Sequence, residues 1–408
     1  MTRQVRPNPP RARDPYGVGP LGASIAPILS VVGLIVIGII TLNLLQGQVP
    51  FGIGGGGNGG NGGNGDGGPT RTAAPSNVVI IPEEAAFEGS IVYAKGGNVW
   101  IQTDAEARQL TDSGKDSMPS WSADGEWVYY INTVREEGRW AGEDYALDVP
   151  RLVRIRADGS GEPEVLKSGK FTKGKNTYAY WIRQPMVSPD GTTVAVISDA
   201  PNPDDTTPTV QFYGMESDKI SDPGLETNGS LGHQDPEWRP DGKYLVYVKN
   251  GRDGSRGAPV IMRYNPSNGK SGQLTGFGYL YPAYSRDGRY LAATRTSAFG
   301  TDVVILDASN GQELERITDD GSSWAPTWSP AGDGIAFLHL DGQTVDLRLA
   351  KLEGAAPDWT VADTIELTEV SDLEPASRPD WFIPADDLPP LPTAAPSASA
   401  SPSASAAP

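Results

Sequence analysis

Few side chains in this sequence could carry out catalytic or metal chemistry. Among its 408 residues there is no cysteine, and the two histidines are His233 and His339. The lack of cysteine excludes thiol nucleophiles, disulfides and cysteine-ligated zinc. The Gly-x-Ser-x-Gly elbow of serine hydrolases and the His-Glu-x-x-His pattern of zinc proteases are also missing from the sequence. We therefore expect no catalytic residue, no bound metal and no cofactor.

One short motif recurs along the chain, and each copy begins with a proline. The copies are PSWSADG from Pro119, PMVSPDG from Pro185, PEWRPDG from Pro236, PAYSRDG from Pro282 and PTWSPAG from Pro326, followed by a shortened copy, RPDWFIP, at 378–384. We interpret the aromatic third residue as a packing wedge between repeats and not as a ligand site. The wedges are Trp121, Trp238, Tyr284, Trp328 and Trp381. The Asp-Gly pairs are typical of tight turns.

Short β-strands must carry this motif. A buried strand precedes each Asp-Gly turn, an alternating return strand follows it, and two further strands come next. The fourth strand ends in an apolar residue followed by threonine, at Leu110-Thr111, Leu274-Thr275, Ile317-Thr318 and Leu367-Thr368. The prolines lie 44 to 66 residues apart. Repeats of about 40 to 50 residues with four strands indicate the blades of a β-propeller.

The repeated Pro-x-aromatic-Ser-x-Asp-Gly motif resembles the WD40-like (PD40) repeats of TolB-like proteins. The resemblance covers 89–384 and implies an all-β, six-bladed β-propeller that works by docking partners. Val187 and Ala331 depart from the motif. The unit that begins at Ser90 lacks an inner strand. The shortened copy at 378–383 supplies an inner strand that no further strands follow. We therefore expect these two segments to pair and to close the ring.

An uncharged segment precedes the repeats. Residues 23–45 would form about 35 Å of helix, enough to cross a bilayer. The arginines in 1–22 predict a cytoplasmic N-terminus. The Gly- and Asn-rich stretch 46–88 predicts a flexible linker, and the Ala-, Ser- and Pro-rich stretch 385–408 a disordered tail. These features predict a single-pass cell-membrane protein with an extracytoplasmic propeller.

The charge balance limits the partners of this domain. Asp and Glu number 51 against 33 Lys and Arg, a formal net charge of −18 at pH 7. Nucleic acids and anionic lipid surfaces attract positive charge. We therefore expect no nucleic-acid partner and contact with the membrane only through the N-terminal helix.

The longest connections should stand together on one rim of the propeller. We interpret 132–150 and 168–185 as loops of the longest repeat, and they concentrate aromatic and basic residues, which are typical interface anchors. The alternative is that the aromatic residues only pin their own loops to the ring. The candidate binding residues are Arg139, Trp140, Tyr145, Tyr178, Tyr180, Trp181 and Arg183, with Lys170, Lys173 and Lys175 beside them.

The mouth of the central channel is a second candidate site. The residue before each anchor proline should point toward the axis, and a mixed polar ring there could hold a small ligand, an ion or water. These residues are Met118, Gln184, Asp235, Tyr281, Ala325 and Arg378, with His233 nearby.

Two classes of function fit these observations. The first is a membrane-tethered, non-catalytic module that binds a protein or an envelope polymer through its rim, as the TolB-like resemblance implies. The alternative is a propeller enzyme, a sugar or ester hydrolase or lyase, that uses the central channel.

Overall fold

The computed structural model describes residues 78–80, 87–200, 207–228, 231–251, 259–369 and 371–391. These residues form an all-β, six-bladed propeller. The predicted cytoplasmic tail, the transmembrane helix at 23–45, most of the linker and most of the C-terminal tail lie outside the described residues. No helix within the described ranges is both long and apolar enough to cross a membrane.

One blade contains strands from both ends of the chain, and we call it blade 6. From its outer edge inward it consists of β1 (Val78–Ile80), β4 (Glu106–Gln109), β3 (Asn98–Gln102), β2 (Ser90–Lys95) and β27 (Asp380–Phe382). The innermost strand β27 pairs antiparallel with β2, with Ile91 opposite Trp381. The C-terminal strand thus occupies the position that the unit starting at Ser90 lacked.

Blades 1 to 5 are four-stranded antiparallel sheets that run from the channel outward in chain order. Blade 1 contains β5 (Asp116–Trp121), β6 (Trp127–Trp140), β7 (Glu143–Arg156) and β8 (Glu164–Ser168), followed by a separate hairpin of β9 (Lys170–Lys173) and β10 (Asn176–Ala179). Blade 2 contains β11 (Arg183–Val187), β12 (Thr193–Ser198), β13 (Thr209–Gly214) and β14 (Lys219–Ser221). Blade 3 contains β15 (His233–Trp238), β16 (Leu245–Lys249), β17 (Val260–Asn265) and β18 (Lys270–Gln273).

The last two complete blades follow the same plan. Blade 4 contains β19 (Tyr279–Tyr284), β20 (Tyr290–Ser297), β21 (Gly300–Asp307) and β22 (Glu313–Arg316). Blade 5 contains β23 (Ser323–Trp328), β24 (Gly334–Asp341), β25 (Thr344–Ala355) and β26 (Asp358–Glu366). A short 3-10 helix, Ala385–Asp387, follows β27.

The inner strand of each of blades 1 to 5 bends at the residue before its proline. That residue has a φ of 48 to 54° although it is not glycine, and the strand register shifts at the same place. A bulge of this kind re-aims a side chain, here the side chains expected at the channel. The bent residues are Met118, Gln184, Asp235, Tyr281 and Ala325. Arg378 does not share this conformation.

The apolar-threonine pairs have a structural purpose that repeats from blade to blade. In each case the threonine hydroxyl accepts a hydrogen bond of 2.9 or 3.0 Å from a backbone N–H of the third strand. The donor is named first in each pair: Val99 and Thr111, Ile261 and Thr275, Val303 and Thr318, and Leu347 and Thr368. A buried backbone donor needs such a partner, which explains why threonine recurs here.

The Asp-Gly turns depend on side-chain hydrogen bonds. Asp190 Oδ1 accepts from the Ser188 hydroxyl at 2.6 Å and from the Thr192 N–H at 3.1 Å, and Gly191 has a φ of 70° that favours glycine. In blade 5 the motif has Ala331 instead of aspartate, and Asp333 accepts from the Ser329 hydroxyl at 2.5 Å. The degenerate copy therefore keeps the turn by using an aspartate two positions later.

The aromatic wedges pack between adjacent blades, as predicted. Trp121 of blade 1 contacts Phe382 of blade 6, with ring centroids 5.3 Å apart, and its indole N–H donates to the Asp380 carbonyl. Trp238 of blade 3 donates in the same way to the Met186 carbonyl of blade 2. The remaining wedges, Tyr284, Trp328 and Trp381, are buried.

Two stretches differ from the sequence-based expectation. Residues 132–150 are not a loop, because β6 and β7 continue through them and pair as far as Trp140 opposite Glu143. In the distal part of β6, inward and exposed positions alternate, but Glu136 and Gly138 occupy two of the inward positions. The residue types of this strand therefore interrupt the apolar alternation by which a half-buried strand is recognised. Within the predicted linker, Val78–Ile80 pairs with β4 as an added outer strand of blade 6.

Candidate functional site

An arginine crosses the central channel. Arg378 of blade 6 donates to the Glu237 carboxylate of blade 3, the opposite blade, at 2.7 Å, and to the Pro282 carbonyl of blade 4 at 2.5 Å. The side chains of Arg378 and Glu237 are only 13% and 14% exposed. Asp380, which begins β27, accepts from the Trp121 N–H at 2.8 Å. The segment around β27 therefore connects blade 6 to blades 1, 3 and 4.

Gln184 and Asp235 form a reciprocal pair beside this arginine. The Gln184 amide donates to Asp235 Oδ1 at 2.6 Å, and its oxygen accepts from the Asp235 N–H at 3.0 Å. Asp235 Oδ2 accepts from the Tyr281 N–H at 3.2 Å. Burial raises the pKa of the Asp235 carboxyl to about 6, although Arg378 opposes that rise.

Burial also raises the pKa values of the neighbouring carboxyls of Glu237 and Asp380, with Arg378 again opposing the rise. The pKa of the Arg378 guanidinium is raised by its ion pairs against the effect of burial. Beside Arg378 lies a cavity of about 30 Å³, lined by Met118, Gln184 and Asp235 among others. That volume is comparable with one water molecule, so it is much smaller than a sugar requires.

His233, which was predicted near the channel mouth, is the first residue of the inner strand β15. Its side chain is fully buried, one ring nitrogen lies 2.9 Å from the Glu226 carbonyl, and the other accepts from the Val210 N–H at 3.3 Å. Burial lowers the pKa of this imidazole to about 4. Both nitrogens are engaged by the backbone, so His233 supports the packing of blades 2 and 3. Ala325, in the ring itself, is buried and contributes no polar group.

Blade 5 contains a serine, a histidine and an aspartate in contact. The Ser323 hydroxyl lies 3.0 Å from His339 Nδ1 and 2.9 Å from Asp320 Oδ2, while His339 Nδ1 lies 3.5 Å from the same carboxylate. In a catalytic triad the aspartate and the serine bond to different imidazole nitrogens, whereas here both face Nδ1. Ser323 is also fully buried. The cluster is therefore a structural network.

The structure brings the predicted rim residues together on two hairpins. The ring of Trp140 at the tip of β6 meets Tyr178 of β10 edge to face, with centroids 5.4 Å apart. Phe171 of β9 stacks on Tyr178 at 5.1 Å and on Tyr180 at 3.9 Å. All four rings are half-buried. They form one continuous row, which we call the aromatic row: Trp140, Tyr178, Phe171 and Tyr180.

Polar contacts hold the two hairpins against each other. Lys170 of β9 donates to Glu136 of β6 at 2.7 Å, and Arg151 of β7 donates to the same carboxylate at 2.5 Å. The hydrogen bonds from these two cations lower the pKa of Glu136. The Tyr145 hydroxyl donates to the Thr177 carbonyl at 2.6 Å. These contacts therefore hold the two hairpins, and with them the aromatic row, in a fixed arrangement.

The other predicted rim residues lie around this row. The Arg183 guanidinium stacks over the Trp181 ring at 4.6 Å, and the Trp181 N–H donates to Asp199 at 2.7 Å. Arg139 is exposed at the hairpin tip, 3.9 Å from Asp144, and Lys173 and Lys175 are exposed at the tip of the second hairpin. Two residues of this site, Phe171 and Glu136, were not among the predicted rim residues. Phe171 belongs to the aromatic row. Its position seven residues before Tyr178 carries no strand signal, because only the β9–β10 pairing places the two rings together.

Comparisons with known proteins agree with this architecture. No family model matches the chain. The chain is 30% identical over 241 residues to the uncharacterized protein Atu1656 of Agrobacterium fabrum, which covers 56% of this chain and 67% of that protein. It is 25% identical over 145 residues to the uncharacterized peptidase YuxL of Bacillus subtilis, covering 35% of this chain but 22% of YuxL.

Among solved structures, the chain is similar to TolB from Acinetobacter baumannii. The TM-score is 0.51 at 19% sequence identity, and the match covers 74% of this chain and 68% of TolB. At that identity the likeness establishes the TolB-like propeller fold and leaves the activity to be argued from the site.

Proposed function

We propose, from the premise that this chain belongs to the family of the uncharacterized protein Atu1656 and has a TolB-like six-bladed propeller fold, that it is a non-catalytic binding module. Its partner is a protein or an envelope polymer, which docks on the two hairpins at the rim of blade 1. In this proposal the channel residues have a structural role and connect the blades of the ring.

The aromatic row is the observation that carries this proposal. Four adjacent, half-buried rings on braced hairpins provide a large contact area that loses little side-chain freedom on binding. The rings also stack on one another, so they stabilise the hairpins as well as offering a surface. The small volume of the channel cavity supports the rim over the channel as the place of binding.

We further propose the setting in which this module works. The uncharged segment 23–45 anchors the chain in the cell membrane, the N-terminus is cytoplasmic, and the propeller is extracytoplasmic. The pairing of β27 with β2 supports the additional proposal that the two ends of the propeller hold the ring closed.

A capture experiment with the full chain tests the binding function. Trp140→Ala should lose most of the partner recovered by the wild type, because it removes the outer ring of the aromatic row. Trp127→Ala is the matched control, since Trp127 is the first residue of the same strand β6 and lies about 40 Å away at the opposite end. Equal recovery of every partner by Trp140→Ala and wild type would reject the rim as the docking surface.

The alternative is a propeller enzyme that cleaves a sugar or an ester at the channel. The observation that favours it is the group of buried carboxyls with raised pKa values, because such groups often mark catalytic sites. Turnover of chromogenic glycosides or esters, abolished in Asp235→Asn, would establish this alternative. The binding proposal requires that the wild type release no product.

A further inference from the structure

A cleft of about 530 Å³ lies between the outer part of blade 1 and blade 2, next to the aromatic row. Leu166, Ile182 and Ile220 provide apolar lining, and Phe171 and Tyr180 line it as well. Clefts that bind small molecules usually measure about 300 to 1,000 Å³ and combine an apolar lining with a few polar groups. This cleft has the size and composition of a ligand site.

Two stacked aromatic rings, Phe171 and Tyr180, line one side of the cleft. The rings of Phe171 and Tyr180 are nearly parallel, at 5°, with centroids 3.9 Å apart. Phe171 covers one face of Tyr180, so a ligand can stack only on the opposite face of this half-buried ring. A flat aromatic ring suits a ligand with a flat, weakly polar C–H face, such as the ring of a pyranose.

The charged groups of the cleft compensate one another. Lys167 lies 3.3 Å from the Asp218 carboxylate, and Lys170 is paired with Glu136 at 2.7 Å. Asp222 completes a lining of two ammonium and two carboxylate groups. Glu136 pairs with Lys170 from outside the lining, so the described carboxylates outnumber the ammonium groups by one. The cleft therefore disfavours an anionic ligand and suits a neutral one that both donates and accepts hydrogen bonds.

One buried polar atom of the cleft has no hydrogen-bond partner among the described residues. Gln211 lines the cleft and is 1% exposed, and its Oε1 accepts no hydrogen bond from the described residues. Its Nε2 is occupied by the Ser198 and Ala200 carbonyls. An unsatisfied buried acceptor is costly, and a ligand hydroxyl is the kind of donor that would satisfy it.

The edge of blade 1 that faces the cleft is obstructed against an added peptide strand. The Leu166 carbonyl on β8 already accepts from the Tyr213 hydroxyl at 3.0 Å. The Lys167 ammonium crosses from β8 to the Asp218 carbonyl of blade 2 at 3.0 Å. Strand addition requires free backbone groups along such an edge, so the geometry disfavours an extended peptide.

We propose that this cleft binds an uncharged oligosaccharide, with one sugar ring stacked on Tyr180 and hydroxyls bonded to Lys167, Asp218 and Gln211. The inference rests on the proposed binding function and specifies the polymer as a neutral glycan. It adds a concave site next to the aromatic row, which would hold the neighbouring part of the same glycan.

Calorimetric titration of the detergent-solubilised full chain tests this inference. The probes are cellohexaose and chitohexaose, with polygalacturonate as the anionic comparison and an uncharged Val- and Thr-rich decapeptide as the peptide comparison. At least one neutral hexasaccharide should bind, and Tyr180→Ala should weaken it about tenfold. Tyr180→Phe should bind as the wild type does, since it keeps the ring. Thermal melting verifies that each variant is folded, and Lys167→Met replaces Tyr180→Ala if the latter does not fold.

Several results would overturn the inference. These are no binding of either hexasaccharide, wild-type affinity in Tyr180→Ala or in its replacement Lys167→Met, or tighter binding of polygalacturonate or of the decapeptide. The failure would be distinguishable from failure of the proposed function. If Trp140→Ala still abolishes partner capture while neither hexasaccharide binds, the rim retains its function and the cleft has none.

Discussion

Replacing Arg378 by methionine removes the only positive charge that touches Glu237 across the channel in the described part of the chain. Both side chains are almost fully buried, and their charged atoms are 2.7 Å apart. Removing one partner of a buried ion pair costs about 3 to 5 kcal/mol, because the other charge remains without compensation. Asp235 and Asp380 add to the cost, since the pKa of each depends on the same arginine.

The expected loss of stability depends on pH. The uncompensated carboxyls can take up protons, so the cost of Arg378→Met should be largest at pH 8 and smaller at pH 5. Urea denaturation at both pH values measures this difference. Arg135→Met is the matched control, because Arg135 pairs with Asp148 at 3.2 Å while 62% exposed. An exposed pair of this kind contributes less than about 1 kcal/mol.

Two outcomes would refute this reasoning. One is a free energy of unfolding at pH 8 that is the same for Arg378→Met and the wild type. The other is a loss that does not change between pH 8 and pH 5, which would mean that packing of the arginine stem and not its charge stabilises the ring.

Three further predictions concern the ring and its blades. Deleting 380–408 should open or unfold the domain because it removes β27, whereas deleting 393–408 should leave the melting temperature unchanged; equal melting of both truncations would contradict closure by the chain ends. Burial raises the folded-state pKa of Asp235 to about 6, above its unfolded value. The stabilising contribution of this group is therefore complete below about pH 4 and is lost as the pH rises through about 6. The loss in the free energy of unfolding is roughly 3 kcal/mol. Asp235→Asn should flatten that part of the stability profile, and an unchanged profile would assign it to other groups. Thr275→Val keeps the shape of the side chain but leaves the Ile261 N–H without its acceptor, so chemical denaturation should detect a loss of about 1 to 3 kcal/mol, and wild-type stability would disprove the threonine's role.

The sequence contains enough local information to predict the blades. The Asp-Gly turn at Asp190 depends on hydrogen bonds within five residues, so its motif is visible without any tertiary contact. The wedge at Trp121 and the threonine at Thr275 recur at equivalent positions of several repeats, and repetition turns weak local signals into a prediction of the whole ring. The pairing of β27 with β2 was also expected, because one end of the repeat array lacked the strand that the other end had in excess.

The candidate site could be predicted only in part. The sequence identified Trp140 and Tyr178 as rim residues, but it indicated loops where the structure has paired hairpins. On β6 the inward positions of the first hairpin include Glu136 and Gly138, so the apolar alternation by which strands are recognised is interrupted there. The stacking of Phe171 on Tyr180 follows from the pairing of β9 with β10, which the residue types alone do not specify.

The amino-acid sequence by itself determined the repeat, the turns, the wedges and the number of blades, because each of these depends on contacts within a blade or between neighbouring blades and is repeated. Only the tertiary structure decided that Arg378 reaches Glu237 on the opposite blade, that His233 is engaged by the backbone, and that four aromatic rings form one row. Each of these contacts occurs once and joins residues from different strands or blades. A single long-range contact leaves no periodic pattern in the chain, so it can be recognised only in the folded structure.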